Sequence, residues 1–143
     1  MMRRMNRHPQ PSDADLILKL YDLRRETVMR QARAWFGNFA PKSFDEIKKV
    51  MAPEHPQNAF WRQVTSYWEM VASFVNREVL HPDLYADNCG EALFIFAKIE
   101  PFLPEVRATY SATALRQTER AITENPSVRE RYAMFRERVQ GKK

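Results

Sequence analysis

The chain has 143 residues, 44% hydrophobic, 12% aromatic and 29% charged, with one cysteine, three glycines and a formal charge of +5. That is the size and make-up of one ordinary globular domain with a single core. A lone cysteine excludes an internal disulfide and a multi-cysteine zinc cage, and so few glycines speak against a turn-rich β fold. The charge excess sits at the ends, in Arg3, Arg4, Arg7, Lys142 and Lys143; without those five, 18 basic residues face 18 acidic ones. A neutral body is a poor match for a phosphate backbone, so nucleic acid is an unfavoured partner, reached at most through weak, salt-sensitive ends.

Residues 1–11 read as a disordered basic leader: the arginines run into His8, Pro9, Gln10 and Pro11 rather than an apolar stretch, so no export signal is expected. The longest uninterrupted apolar run, Ala92 to Ala97, is far short of the roughly 20 residues that span a bilayer, so no membrane partner is expected either. With the unpaired cysteine, this points to the cytoplasm.

A single helical domain is expected over 12–140. Ser12 and Asp15 have the spacing of a capping box, and a first helix should run from there to Gly37 and Asn38. Its inner side would carry Leu16, Ile17, Leu20, Leu23, Val28, Ala34 and Trp35. Ser43 followed by Glu46 starts a short second helix with Ile47, Val50 and Met51 inward. Pro53 and Pro56 mark a loop, after which Asn58 is placed to cap a helix over about 58–80, the richest in rings: Phe60, Trp61, Tyr67, Trp68 and Phe74. Its apolar residues cover more than half of its circumference, which requires neighbours on several sides and makes it the hub of the bundle.

Pro82 suits the first turn of a fourth helix, and the run Ala92 to Ala97 within it reads as helix, since no partner strand or hairpin turn is in sight. Gly90 is either its weak point or a close-packing contact. Pro101 and Pro104 interrupt it, and a further helix is expected from Val106 to Glu124 with Tyr110, Ala114, Ala121 and Ile122 inward. Asn125 and Pro126 open the last helix, with Val128, Tyr132, Phe135 and Val139 inward and 141–143 as a frayed tail. The expected architecture is all-α, a single-domain bundle of five to six helices around the aromatic-rich one.

Chemistry is sparse. His8, His55 and His81 lack metal-ligand spacing, Cys89 reads as a small buried hydrophobe rather than a nucleophile, and no phosphate loop or GxSxG occurs. No catalytic residue, cofactor or metal site is assigned. Glu69, Glu78, Asp83 and Asp87 read as solvated charge, with one exception: Glu69 lies midway along the most apolar helix, and Arg24 projects on the apolar side of the first. A buried polar pair between Arg24 and Glu69 is expected. Trp61, Trp68 and His81 are the candidates for a pocket or interface.

The stretch from Tyr67 to Ala108, followed by Asn125 to Val139, resembles a bacterial family of small helical domains of unknown function. The shared features are Tyr67 to Ala72 (aromatic, Glu69, Val71, Ala72), the Pro82-Asp83-Leu84-Tyr85 turn, a proline-ended helix, Arg107, and Tyr132 with Phe135. Some members of that family look membrane-anchored through an N-terminal segment. The resemblance implies a fold and no catalytic residue. The function expected is that of a non-catalytic protein–protein interaction module, with a homodimer as the first partner to consider; a small-molecule binder or enzyme with an inter-helix pocket is the alternative.

Overall fold

The computed structural model describes residues 7–141, and among them the secondary structure is all helical. In chain order the elements are α1 (Pro11–Arg24), α2 (Thr27–Asn38), α3 (Phe44–Met51), α4 (Asn58–Asn76), α5 (Pro82–Asn88), α6 (Gly90–Ile99), a 3-10 turn (Glu100–Phe102), α7 (Leu103–Thr109), α8 (Arg116–Glu124) and α9 (Pro126–Gln140). None of the described helices is long and apolar enough to cross a membrane. The expected single domain built around an aromatic-rich helix is present, but three of the expected helices are each divided.

The first division lies at Arg25 and Glu26. Glu26 turns its carboxylate onto the Met29 N–H at 2.7 Å and so caps α2 from within what reads as one continuous helix. The change of axis moves the apolar side: Met29, Ala32 and Phe36 are buried, whereas Leu23 and Val28, expected inside, are exposed. The start is also earlier than expected. Gln10 rather than Ser12 precedes the first turn, and the buried Asp13 accepts the Gln10 N–H at 2.7 Å.

Helix α4 is central as expected. Trp61, Val64, Trp68, Val71, Ala72 and Val75 are buried, and the helix packs on α2, α3 and α8. Its counterpart is α6, buried from Ala92 to Ile99 except at Phe94, and packed chiefly on α9 and also on α5 and α8. The run Ala92 to Ala97 is thus helix, as read from the sequence. Gly90 is a close-packing contact: a Cβ there would lie 2.9 Å from the Phe135 ring of α9. The break between α5 and α6 falls at Cys89.

Asn58 is the first residue of α4 rather than its cap; its side-chain amide donates to the Val50 carbonyl at 2.9 Å and so ties α4 to α3. The helix ends at Asn76, short of residue 80. There the Glu78 N–H bonds the Val75 carbonyl and the Val79 N–H the Phe74 carbonyl, the pairing of a Schellman turn. Glu78 occupies its left-handed position, with φ 63°, where glycine has no Cβ to strain. Relieving that strain is worth about 1 kcal/mol. Glu78→Gly should therefore raise the melting temperature by about 3 °C, checked by differential scanning calorimetry; a fall would show that the glutamate side chain contributes more than its backbone costs.

The third division removes the expected helix over 106–124. Residues Tyr110 to Leu115 form turns, Tyr110 is exposed, and Leu115 is left-handed at φ 55°. Arg107 holds this segment: its guanidinium donates to the Ala114 carbonyl at 3.0 Å and forks onto Glu119 at 3.0 and 3.3 Å.

Candidate functional site

Trp61 and Trp68 are 6% and 3% exposed. Trp61 stacks on Phe36 within a cluster that includes Phe39, and Trp68 donates its indole N–H to Glu91 at 3.1 Å. His81 lies on another element, at the start of α5. It borders a different cleft, with Arg7, Pro126 and Glu130, whereas Trp61 borders a shallow one with Met51, Arg62, Glu69 and Leu115. The three residues expected at one pocket or interface therefore do not line one cleft: the two tryptophans are core, Trp61 at the edge of a cleft, and His81, at the start of α5, meets the N-terminal strap, the segment from Arg7 to Gln10 that leads into α1.

That strap corrects the reading of 1–11 as a free leader, at least from Arg7 onward; residues 1–6, like Lys142 and Lys143, lie outside the described residues. Arg7 forks onto the wholly buried Asp13 at 2.6 and 2.8 Å. Asp13 also accepts the His81 N–H at 2.9 Å. The His81 ring closes the loop: its Nδ1 accepts the Asp83 N–H, so the proton on Nε2 is donated to the Arg7 carbonyl at 2.8 Å. Hydrogen bonding from Arg7 holds the Asp13 carboxyl well below the usual carboxylate range, against the opposing effect of burial.

The expected Arg24–Glu69 pair is not formed, and each group has found other company. Glu69 accepts from the Gln117 N–H at 3.0 Å and the Thr118 N–H at 2.9 Å, and from the Thr118 hydroxyl. It thereby caps α8 from another helix, in place of Leu115, whose apolar side chain cannot. Arg24 meets two rings, its guanidinium carbon 4.3 Å from the Tyr21 centroid and 5.1 Å from that of Trp68, with Nε buried and without a hydrogen-bond partner. An ion pair is formed instead by the half-buried Arg33 and Glu91: Nε and Nη2 both approach the carboxylate at 2.9 Å, and Trp68 shares it, so α2, α4 and α6 meet at one acid.

Cys89 is 2% exposed, and burial pushes its thiol up to about 12. Among the described residues no group of three or more His, Cys, Asp or Glu could hold a metal ion.

The residue that sequence reading missed is Lys98. It follows the apolar run of α6 and is 7% exposed. Its ammonium donates to the Phe36 and Gly37 carbonyls at 2.8 and 3.0 Å, satisfying the end of α2, and sits 4.4 Å from the Phe94 ring centroid. Desolvation lowers its pKa to about 8. Lys98 forms part of a cleft of about 650 Å³ between the end of α2, the loop that follows it, α6 and the end of α9. The cleft's lining includes Phe94, Phe102, Pro41 and Val139, together with Lys42 and Arg138, and no carboxylate. The signal available in the sequence was a lysine one turn after Phe94 in an otherwise apolar helix, a position that requires a buried acceptor for the ammonium.

Compared with known proteins, residues 9–124 match the family described as Domain of unknown function (DUF4760). The match takes in α1 to α8 and leaves α9 outside. No curated protein and no solved structure matches the chain.

Proposed function

The chain belongs to the DUF4760 family, a domain of unknown function, across residues 9–124, and within it we propose a non-catalytic protein–protein interaction module that pairs with a second copy of itself through α1. The carrying observation is the outward side of that helix, where Ala14, Leu18 and Tyr21 form a stripe at helical spacing and Leu18 is 67% exposed. The exposed charges beside it, Asp15, Lys19, Asp22 and Arg25, alternate in sign. A twofold axis between Lys19 and Asp22 brings each Lys19 to the other copy's Asp22 and each Asp15 to the other copy's Arg25. Such a face complements itself, as an isologous interface must. Meanwhile the buried Asp13, the half-buried Glu91 and the capping Glu69 are engaged in joining helices, which favours an architectural over a catalytic use of these groups. A single buried thiol fits work in the reducing cytoplasm.

Sedimentation equilibrium of the full chain should show a dimer with a dissociation constant of about 10 µM, a free energy typical of a small interface. Lys19→Asp should weaken it at least about tenfold through like-charge contact, and Lys19→Asp combined with Asp22→Lys should restore it. A strict monomer up to about 1 mM overturns the proposal, as does a dimer indifferent to the charge reversal.

A second reading, that of a small-molecule binding protein, is favoured by one observation: the cleft at Lys98, whose volume lies within the usual range for ligand sites.

A further inference from the structure

The ligand class for the Lys98 cleft can be drawn from its charges, on the second reading above. Three cations border it, Lys42, Lys98 and Arg138, and no Asp or Glu does. None of the three takes part in an ion pair among the described residues: Lys98 is spent on two carbonyls, Arg138 lies against the Phe135 ring, and Lys42 is exposed. Two half-buried cations elsewhere in the domain each meet an acid, Arg33 with Glu91 and Arg7 with Asp13. A lysine 7% exposed and without a carboxylate is costly unless something anionic shares its site.

We infer that this cleft binds an organic monocarboxylate with an apolar body, its carboxylate against Lys98 and its body along Phe94, Phe102 and Val139. An ammonium has three N–H groups, and two are donated to the Phe36 and Gly37 carbonyls, so one is left for a ligand oxygen. The rings and the Pro41 and Pro101 side chains accept apolar carbon and supply no N–H of their own. A phosphate dianion fits worse. It wants several N–H donors, while the nearest backbone groups are carbonyls at the negative end of α2. Arg138 and Lys42, on the exposed rim, add attraction for the approaching anion and a fork for its second oxygen.

The test is a titration of the full ¹⁵N-labelled chain with 4-phenylbutyrate, 4-phenyl-1-butanol and inorganic phosphate, followed by amide chemical shifts. The acid should shift Gly37, Phe94, Lys98 and Val139 with a dissociation constant of about 1 mM or tighter, and the alcohol should bind at least about tenfold more weakly. Lys98→Met should abolish the preference for the acid over the alcohol. Because that change also removes a cap from α2, the pair Lys42→Ser and Arg138→Gln, both at exposed positions, serves as the independent variant and should weaken the acid several-fold. Equal affinity for acid and alcohol, or shifts from phosphate as large as those from the acid, overturns the carboxylate class while leaving a small-molecule cleft in place. No shift in the cleft with any probe at about 10 mM overturns the class and the second reading together.

Discussion

Replacing Asp13 by alanine is expected to lower the unfolding free energy by about 3 kcal/mol, the sum of two N–H groups left without their acceptor, one buried and one partly buried, at roughly 1 to 3 kcal/mol each, with partial relief by water. The donors are the Gln10 N–H, which starts α1, and the His81 N–H, which starts α5, and both turn to one wholly buried carboxylate. Arg7 then clamps the same carboxylate and through its own carbonyl holds the His81 ring. One side chain thus joins the strap, α1 and the entrance to α5. The same contact fixes a pH dependence. The folded carboxyl is held well below its ordinary value, chiefly by Arg7. Its contribution is therefore present in full above about pH 4, near the unfolded value, and is lost as the pH falls through the folded one. Urea unfolding at a series of pH values should show the wild type losing stability between about pH 4 and pH 2, and Asp13→Asn, which cannot ionise, should flatten that limb. A limb of unchanged steepness in the asparagine variant would assign the acid sensitivity to other carboxylates.

The helices of this domain are legible in its sequence, while their breaks and the cleft are not, and the difference is physical. A helix with a buried side advertises itself through the spacing of Trp61, Val64, Trp68, Val71 and Val75, because the core selects those positions from one direction. Breaks announced by proline are equally plain, as at Pro82 and Pro126. Two of the hidden breaks, at Glu26 and at Tyr110 to Leu115, carry no such punctuation. At Glu26 an acid that favours helix interiors is used as a cap. At Leu115 the cap is supplied by Glu69 from another helix, and at Tyr110 to Leu115 the chain is held by Arg107 from the preceding one. Glu69 is 48 and 49 residues from the Gln117 and Thr118 N–H groups that it accepts, so no local window contains both halves of that cap. Reading Arg24 and Glu69 as unusual was sound, since each is tied to a specific environment; pairing them was not, because an acid has a second kind of partner in a helix start and a guanidinium has one in an aromatic face. Lys98 belongs to the same class. Its acceptors are the carbonyls of residues 61 and 62 positions earlier, and backbone acceptors leave no trace in side-chain pattern.

Phe36 belongs to the core through its ring and meets Lys98 of the cleft through its carbonyl, and Phe36→Ala is expected to cost about 4 kcal/mol. The ring is wholly buried. It stacks on Trp61 at 5.4 Å between centroids and meets Trp35 and Phe39 edge-on at 5.2 and 5.9 Å, so α2, α4 and the loop after α2 are all fixed against it. Truncation leaves a cavity among rings that are too large to rotate into it, which is the condition under which cavity costs lie in the upper part of their range. Phe36→Leu, which retains most of the volume, should cost only about 1.5 kcal/mol. The carbonyl of the same residue accepts the Lys98 ammonium at 2.8 Å, whereas the side chain takes no part in that bond. Two consequences separate. In thermal unfolding the alanine variant should melt roughly 12 to 16 °C below wild type. At a temperature where it remains folded, the amide signals of Gly37 and Lys98 should move because the end of α2 is no longer pinned by the ring, while in the leucine variant they should stay in place. A loss under about 1.5 kcal/mol for alanine would mean that α2 can settle onto Trp61 without the ring, and that the cleft is closed at its α2 wall by the Lys98 hydrogen bonds rather than by the aromatic cluster.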